Sequence, residues 1–342
     1  MSRQIERRAR AMDRRTFLAR ASALSAGSCL AIPRTVAAEQ SPEVRRLRLL
    51  GGPAICRAPQ LIAEELLHAE GFTEIEYVKT GRVLGATAIA QGLADVAVWD
   101  VQSTLPVLDT GDRVVVLAGI HAGCWELFGN SRIETLRDLK GKTVAIRAPN
   151  LGDHVLLSCM LAYIGMDPHT AVNWLAGPAV TDAMPLFLEG RADAFVGFPP
   201  QPQELRARRV GHVIIDTAQD RPWSQYYCCV AIARREFVHA YPTATKKVLR
   251  AFLKAADICA QEPERAAEIL AKKGYEPRQA VALQVLKSLP YDRWRQIDPE
   301  DTLRFYALRL HEVGMIKTTP QKLIAQGTDW RFLNELRKEL KA

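Results

Sequence analysis

No Gly-x-Ser-x-Gly elbow occurs in the 342 residues, which removes the usual hydrolase nucleophile. His311-Glu312 begins like a zinc-peptidase helix, but Met315 stands where the second histidine belongs. The cysteines and histidines show no structural-zinc spacing. Gly141-Lys142-Thr143 imitates the end of a nucleotide-binding P-loop, yet Leu136 occupies the place of that motif's first glycine and the triplet precedes its strand. The apolar run Ala19 to Ile32 is too short, and too poor in large side chains, to span a bilayer. There is no internal repeat, low-complexity tract or long charge block. By these absences the chain reads as a non-enzyme with no metal and no cofactor.

What is present begins with a basic leader. Arg14-Arg15-Thr16-Phe17-Leu18 forms a twin-arginine core after an arginine-rich, lysine-free start. The weakly apolar run follows, and Val36-Ala37-Ala38 offers small residues before a cut at Glu39. Residues 1–38 are therefore expected to be a twin-arginine export signal and the mature protein to be periplasmic. Lipoprotein anchoring through Cys29 is a minority alternative, since Ala26-Gly27-Ser28 lacks the usual leucine. This segment carries eight Arg and two acidic residues, so most of the chain's +8 formal charge leaves with it. The basic balance thus gives no support for nucleic-acid binding. Cys56, Cys124, Cys159, Cys228, Cys229 and Cys259 remain. Export permits disulfides, but spacing selects no pairing, and buried free thiols fit equally well.

The remaining roughly 300 residues suffice for two domains. Alternation predicts strands at Val44–Leu50, Ile75–Val78, Asp95–Trp99 and Arg113–Ile120, with helices at 58–70, 85–92 and 101–108 between them. Strands alternating with helices argue for a doubly wound α/β unit with a largely parallel sheet. A strand at 125–128 leaves it, and a second unit opens at Ile133–Gly165. There a short helix (Ile133, Leu136, Leu139) precedes the strand Thr143–Ile146, the loop Pro149-Asn150-Leu151-Gly152 and a helix bearing Val155, Leu156, Cys159 and Leu161. Further strands are expected at 172–175, 194–198, 213–215 and 227–233, with a helix at 181–189. From Tyr241 the pattern is helical almost to the end, with prolines near helix starts.

Three segments in order carry a resemblance: the helix–turn–strand before Ile146, Gly92-Leu93-Ala94-Asp95-Val96-Ala97, and Leu188-Glu189-Gly190-Arg191-Ala192-Asp193-Ala194-Phe195. Together they resemble the periplasmic substrate-binding proteins of ABC importers for nitrate, sulfonate and taurine, a superfamily that includes pyrimidine-precursor binding proteins. The resemblance implies a type II-like α/β fold of two lobes, each a doubly wound sheet with flanking helices, followed by a helical C-terminal tail. The expected division is 44–125 plus 231–342 for one lobe and 126–230 for the other. It implies a monomer that captures a small organic molecule between its lobes and delivers it to a membrane permease and ATPase. A ligand-presenting sensor would use the same cleft. Related pyrimidine-precursor synthases are a lesser alternative, because their cysteine-rich iron segment is here only the vicinal pair Cys228-Cys229.

Ligands of open α/β sheets bind beyond the carboxyl ends of strands. That rule nominates Gly51, Gly52, Pro53, Ile55 and Cys56, then Trp99 with Asp100, His121 with Gly123 and Cys124, Asn150 with Gly152, Asp153 and His154, and Phe198 with Pro199. Trp99 and Asp100 suit a planar ligand with an N–H donor, or else a core tryptophan and a helix N-cap. Asp153 is either a ligand group or an N-cap, and His121 and His154 are either ligand groups or structural histidines. Trp125-Glu126 falls at the lobe crossing, Glu126 being a ligand acceptor or a solvated hinge charge. Trp223, Tyr226 and Tyr227 form a second aromatic wall or simply pack. Related sulfonate and nitrate sites favour neutral donors around an anion at the helix start, whereas this loop carries Asp153 and no Ser or Thr. That contrast predicts a neutral or cationic organic ligand, such as a pyrimidine-like heterocycle, rather than a simple anion.

Overall fold

The computed structural model describes residues 40–340 apart from 53, 112 and 178–181. The export segment 1–38 with Cys29, the cut before Glu39, Pro53 and the expected helix start at Thr181 lie outside the described residues. Two five-stranded sheets organise the rest. The first runs β2(Glu74–Val78), β1(Arg46–Leu50), β3(Val96–Asp100), β10(Tyr227–Arg234), β4(Val114–Ala122). The second runs β7(Asn173–Ala176), β6(Thr143–Ile146), β8(Ala194–Gly197), β5(Glu126–Gly129), β9(His212–Asp216).

The two sheets share one topology. In each, three strands pair in parallel, and the strand that arrives from the other sheet enters antiparallel to its neighbours. The sheets are therefore mixed rather than largely parallel, because β5 and β10 come across from the opposite side. The chain passes to the second sheet at Glu126 and is back in the first at Tyr227.

Local chemistry explains these elements. In the first sheet β1 and β3 share few ladder partners, and Gln60 bridges them: its Nε2 donates to Leu50 O at 2.8 Å and its Oε1 accepts from Val98 N at 2.6 Å. The expected helix at 58–70 is split at Ala63 into Ala58–Ile62 and Glu64–Ala69. The two crossings hold each other. Thr217 Oγ1 accepts from the N–H groups of Cys124 and Trp125, at 3.2 and 3.0 Å. Gly123 has φ +47, and a Cβ there would lie 2.3 Å from Ala218 Cα, so the crossings approach to a distance only glycine permits.

Most of the core forms one cluster around the first sheet and the C-terminal helices, while Phe128, Ala145, Phe187, Phe195 and Leu205 centre a smaller core in the second sheet. The helix Gly152–Tyr163 follows a strand of the second sheet, yet its side chains belong to the larger cluster. It packs against the helices Val101–Asp109 and Pro299–Glu312, which accounts for its apolar residues on every face.

Candidate functional site

A cavity of about 240 Å³ opens where strand ends of both sheets converge. Gly51, Gly52, Ala54, Cys56 and Arg57 reach it after β1, and Trp99 and Asp100 end β3. The crossing contributes Cys124 and Trp125, and Cys229 comes from β10. From the second sheet come Arg147, directly after β6, and Phe198, directly after β8. A larger, open groove of about 710 Å³ shares Leu84 and Trp99 with it and reaches Asn150 and Leu151.

Two buried arginines set the electrostatics. The Arg57 guanidinium stands 4.6 Å from the Trp99 ring centroid and donates through Nη2 to Gly52 O at 2.7 Å. Its Nε and Nη1 are buried without a partner, and burial lowers its pKa. Arg147 packs on Phe198 and Trp125, at 5.0 and 5.6 Å from their ring centroids. Its Nη2 donates to Asp153 Oδ1 at 3.2 Å and its backbone N–H to Oδ2 at 2.7 Å, while its Nε has no partner. Trp125 Nε1 is also unpartnered, and its ring meets Phe198 edge-on at 5.2 Å. Buried polar groups are nearly always satisfied, so four unpaired donors on residues around one cavity suit a hydrogen-bond acceptor.

Asp153 does not face the cavity. It is 0% exposed and fully engaged by Arg147. The premise that this carboxylate stands unpaired beside the ligand does not hold: it is paired with, and holds in place, a guanidinium whose Nε has no partner. Asp100 is the helix N-cap that was one of its two expected roles, and it also borders the cavity. It caps the helix Val101–Asp109 by accepting from Ser103 N at 2.8 Å. Burial raises its pKa, with the Ser103 N–H and Arg147 opposing.

Of the other nominated residues, Gly52, Cys56, Trp99 and Phe198 join Asp100 at the cavity. Asn150 borders the outer groove and adopts φ 65. His154 packs edge-on against Trp174 at 4.6 Å, and burial lowers its pKa. Glu126 pairs with Arg206, away from the cavity; burial outweighs that pairing and lifts its pKa to about 7. Tyr226 stacks on Phe305 at 4.0 Å, Trp223 meets the same ring, and Tyr227 donates to Trp294 O and Ile297 O, so this trio packs on the C-terminal helices instead of walling the cavity. His121 is fully buried, with Cys56, Cys124 and Cys229 around it. Burial works against its imidazolium, but the neighbouring thiols of Cys229 and Cys56 more than offset this and raise its pKa to about 10.

Sequence reasoning missed Arg57 and Arg147. The strand-end rule already pointed at both, since one adjoins Cys56 and the other directly follows Ile146.

A family model described as NMT1/THI5 like matches residues 70–266. No curated protein sequence matches the chain. Among solved structures, the periplasmic nitrate-binding protein NrtA from Synechocystis PCC 6803 superposes with a TM-score of 0.74 at 16% identity, over 88% of this chain and 90% of that one. The periplasmic aliphatic sulphonate-binding protein SsuA from Escherichia coli gives 0.63 at 19%, over 83% and 92%. The desulfurization enzyme DSZB gives 0.59 at 16%, over 87% and 100%. These likenesses establish the two-sheet binding-protein fold. Among the described residues no helix is long and apolar enough to cross a membrane.

Proposed function

The chain belongs to the NMT1/THI5-like family, and from that premise we propose that it is the extracytoplasmic solute-binding component of an ABC importer. It captures one small organic molecule between its lobes and hands it to a membrane permease and ATPase. Lobe one holds β1–β4 and β10 with the C-terminal helices, lobe two holds β5–β9, and the crossings at 123–125 and 217–226 are the pivot. Export through the twin-arginine signal brings it to that compartment as a monomer.

The observation that carries this reading is the set of buried, unpaired donors on residues that line the cavity: Arg57 Nε and Nη1, Arg147 Nε and Trp125 Nε1. A binding cleft is largely apolar with a few placed polar groups that fix orientation. Here the rings of Trp99, Trp125 and Phe198 form the wall and the two guanidiniums supply the polar end. The ligand class is a compact molecule with a planar or apolar body and a carboxylate, sulfonate or carbonyl acceptor. A thermal-shift screen tests this, because a ligand that binds only the folded form raises apparent stability. Aromatic and aliphatic carboxylates, sulfonates and pyrimidinones are expected to stabilise the protein, and organic amines are not. A panel in which only amines raise the melting temperature contradicts the assignment.

A further inference from the structure

Cys56, His121, Cys124 and Cys229 present their ligand atoms within 4.8 Å of one another, and all four residues are buried. We propose that these four side chains bind a thiophilic divalent cation of the zinc class at the floor of the interlobe cavity. The proposal stands on the side-chain cluster and does not depend on the importer reading.

Four separate segments build the cluster. Cys56 lies in the short 3-10 turn Ile55–Arg57 after β1, and its carbonyl accepts from the Tyr291 hydroxyl at 3.2 Å. His121 is on β4, and Cys124 is on the crossing, tied down by its N–H to Thr217. Cys229 is on β10 directly opposite His121, with register shifts on both sides of it. Such irregularities re-aim side chains. Consecutive residues of a regular strand face opposite sides, yet here the Cys228 and Cys229 sulfurs are 4.0 Å apart.

Plain apolar packing of thiols does not account for the histidine. His121 Nδ1 lies 3.1 Å from Ala122 O, which leaves Nε2 as the free nitrogen. That atom is buried and has no hydrogen-bond partner. Ligating histidines characteristically use one ring nitrogen for the metal while the other donates to a backbone carbonyl. Three thiols and one imidazole are a common donor set for tetrahedral Zn²⁺, whose ligand sulfurs stand about 3.8 Å apart at ordinary bond lengths. The present cluster, with all its ligand atoms within 4.8 Å of one another, is at most about 1 Å wider than that. Cys56, Cys124 and Cys229 also line the cavity, so the bound cation faces the ligand space and joins the pivot segments. Sequence spacing does not reveal the set, because its members come from the turn after β1, β4, the crossing and β10 rather than from paired knuckles.

The Cys228 sulfur, 2.7 Å from that of Cys124, supplies the competing fate: a two-electron oxidant such as O2, taking two electrons and two protons from the thiols, joins them in a disulfide and withdraws Cys124 from the ligand set. The test therefore uses the full chain, fully reduced, stripped with chelator and titrated with Co²⁺ under anaerobic conditions. One equivalent is expected to bind with the visible bands of a tetrahedral thiolate site and to be displaced by Zn²⁺. Cys229→Ser and His121→Ala are expected to weaken binding on the order of tenfold or more. Cys159→Ala, a buried thiol outside the cluster, is expected to leave it unchanged. Buried substitutions can impair folding, so X-ray absorption of the zinc-loaded natural sequence reads the ligand set independently, with three sulfur neighbours and one nitrogen expected. Failure of the reduced, folded protein to take up Co²⁺ overturns the proposal. So does an oxygen-rich zinc shell, or an affinity that Cys229→Ser does not change.

Discussion

Arg147 and Asp153 form the pair on which the cleft's polarity turns. Asp153 is 0% exposed and Arg147 nearly so. Removing one member of a buried ion pair strands the other, at a cost of about 3–5 kcal/mol. Arg147→Met is therefore expected to lose stability of that order in urea unfolding, and adding Asp153→Asn to restore most of it. Glu126 makes a second test at this scale. Its folded pKa of about 7 lies above its ordinary 4.5, so the folded chain keeps a proton that the unfolded chain has released between those values. Its contribution to stability accordingly falls as pH rises from about 4.5 to 7 and is level above that. Glu126→Gln removes this slope. Its advantage over the natural sequence is expected to be near zero at the acid end of the window and complete above pH 7, read from unfolding midpoints. At this scale the sequence was least legible. Trp99, Asp100, Cys56, Gly52 and Phe198 line the cavity, and their place at strand ends is visible in hydrophobic alternation. The partner that buries and neutralises Asp153 was not visible, because a carboxylate before a helix looks the same whether it faces solvent, ligand or arginine.

The helix Gly152–Tyr163 shows what elements add. Its apolar residues were evident, but not that they face the larger core across from their own sheet. Its first residue closes against the other sheet's strand end: a Cβ on Gly152 would lie 2.5 Å from Asp100 Oδ1 and 2.9 Å from Trp125 Cζ2. Gly152→Ala is expected to prop the lobes apart and weaken ligand binding on the order of tenfold. Calorimetry checks this, and full retention of affinity would exclude closure onto Gly152. The positions of the strands were legible from alternation. The antiparallel entries of β5 and β10 were not, because crossing strands carry the same apolar pattern as their neighbours.

At the scale of the molecule, two sheets of one topology meet at strand ends that carry opposite contributions: an aromatic ring, a carboxylate and a guanidinium from the first, a guanidinium and a phenyl ring from the second. Residues of both sheets thus complete the cavity. The central claim is that the two buried guanidiniums hold the ligand's acceptor end. Isothermal titration of the best carboxylate, sulfonate or pyrimidinone from the screen tests it most directly, comparing the natural sequence with Arg57→Gln and with Arg147→Gln/Asp153→Asn. The account predicts one site, lost or weakened on the order of a hundredfold in both variants while each remains folded. Undiminished binding in both would contradict it.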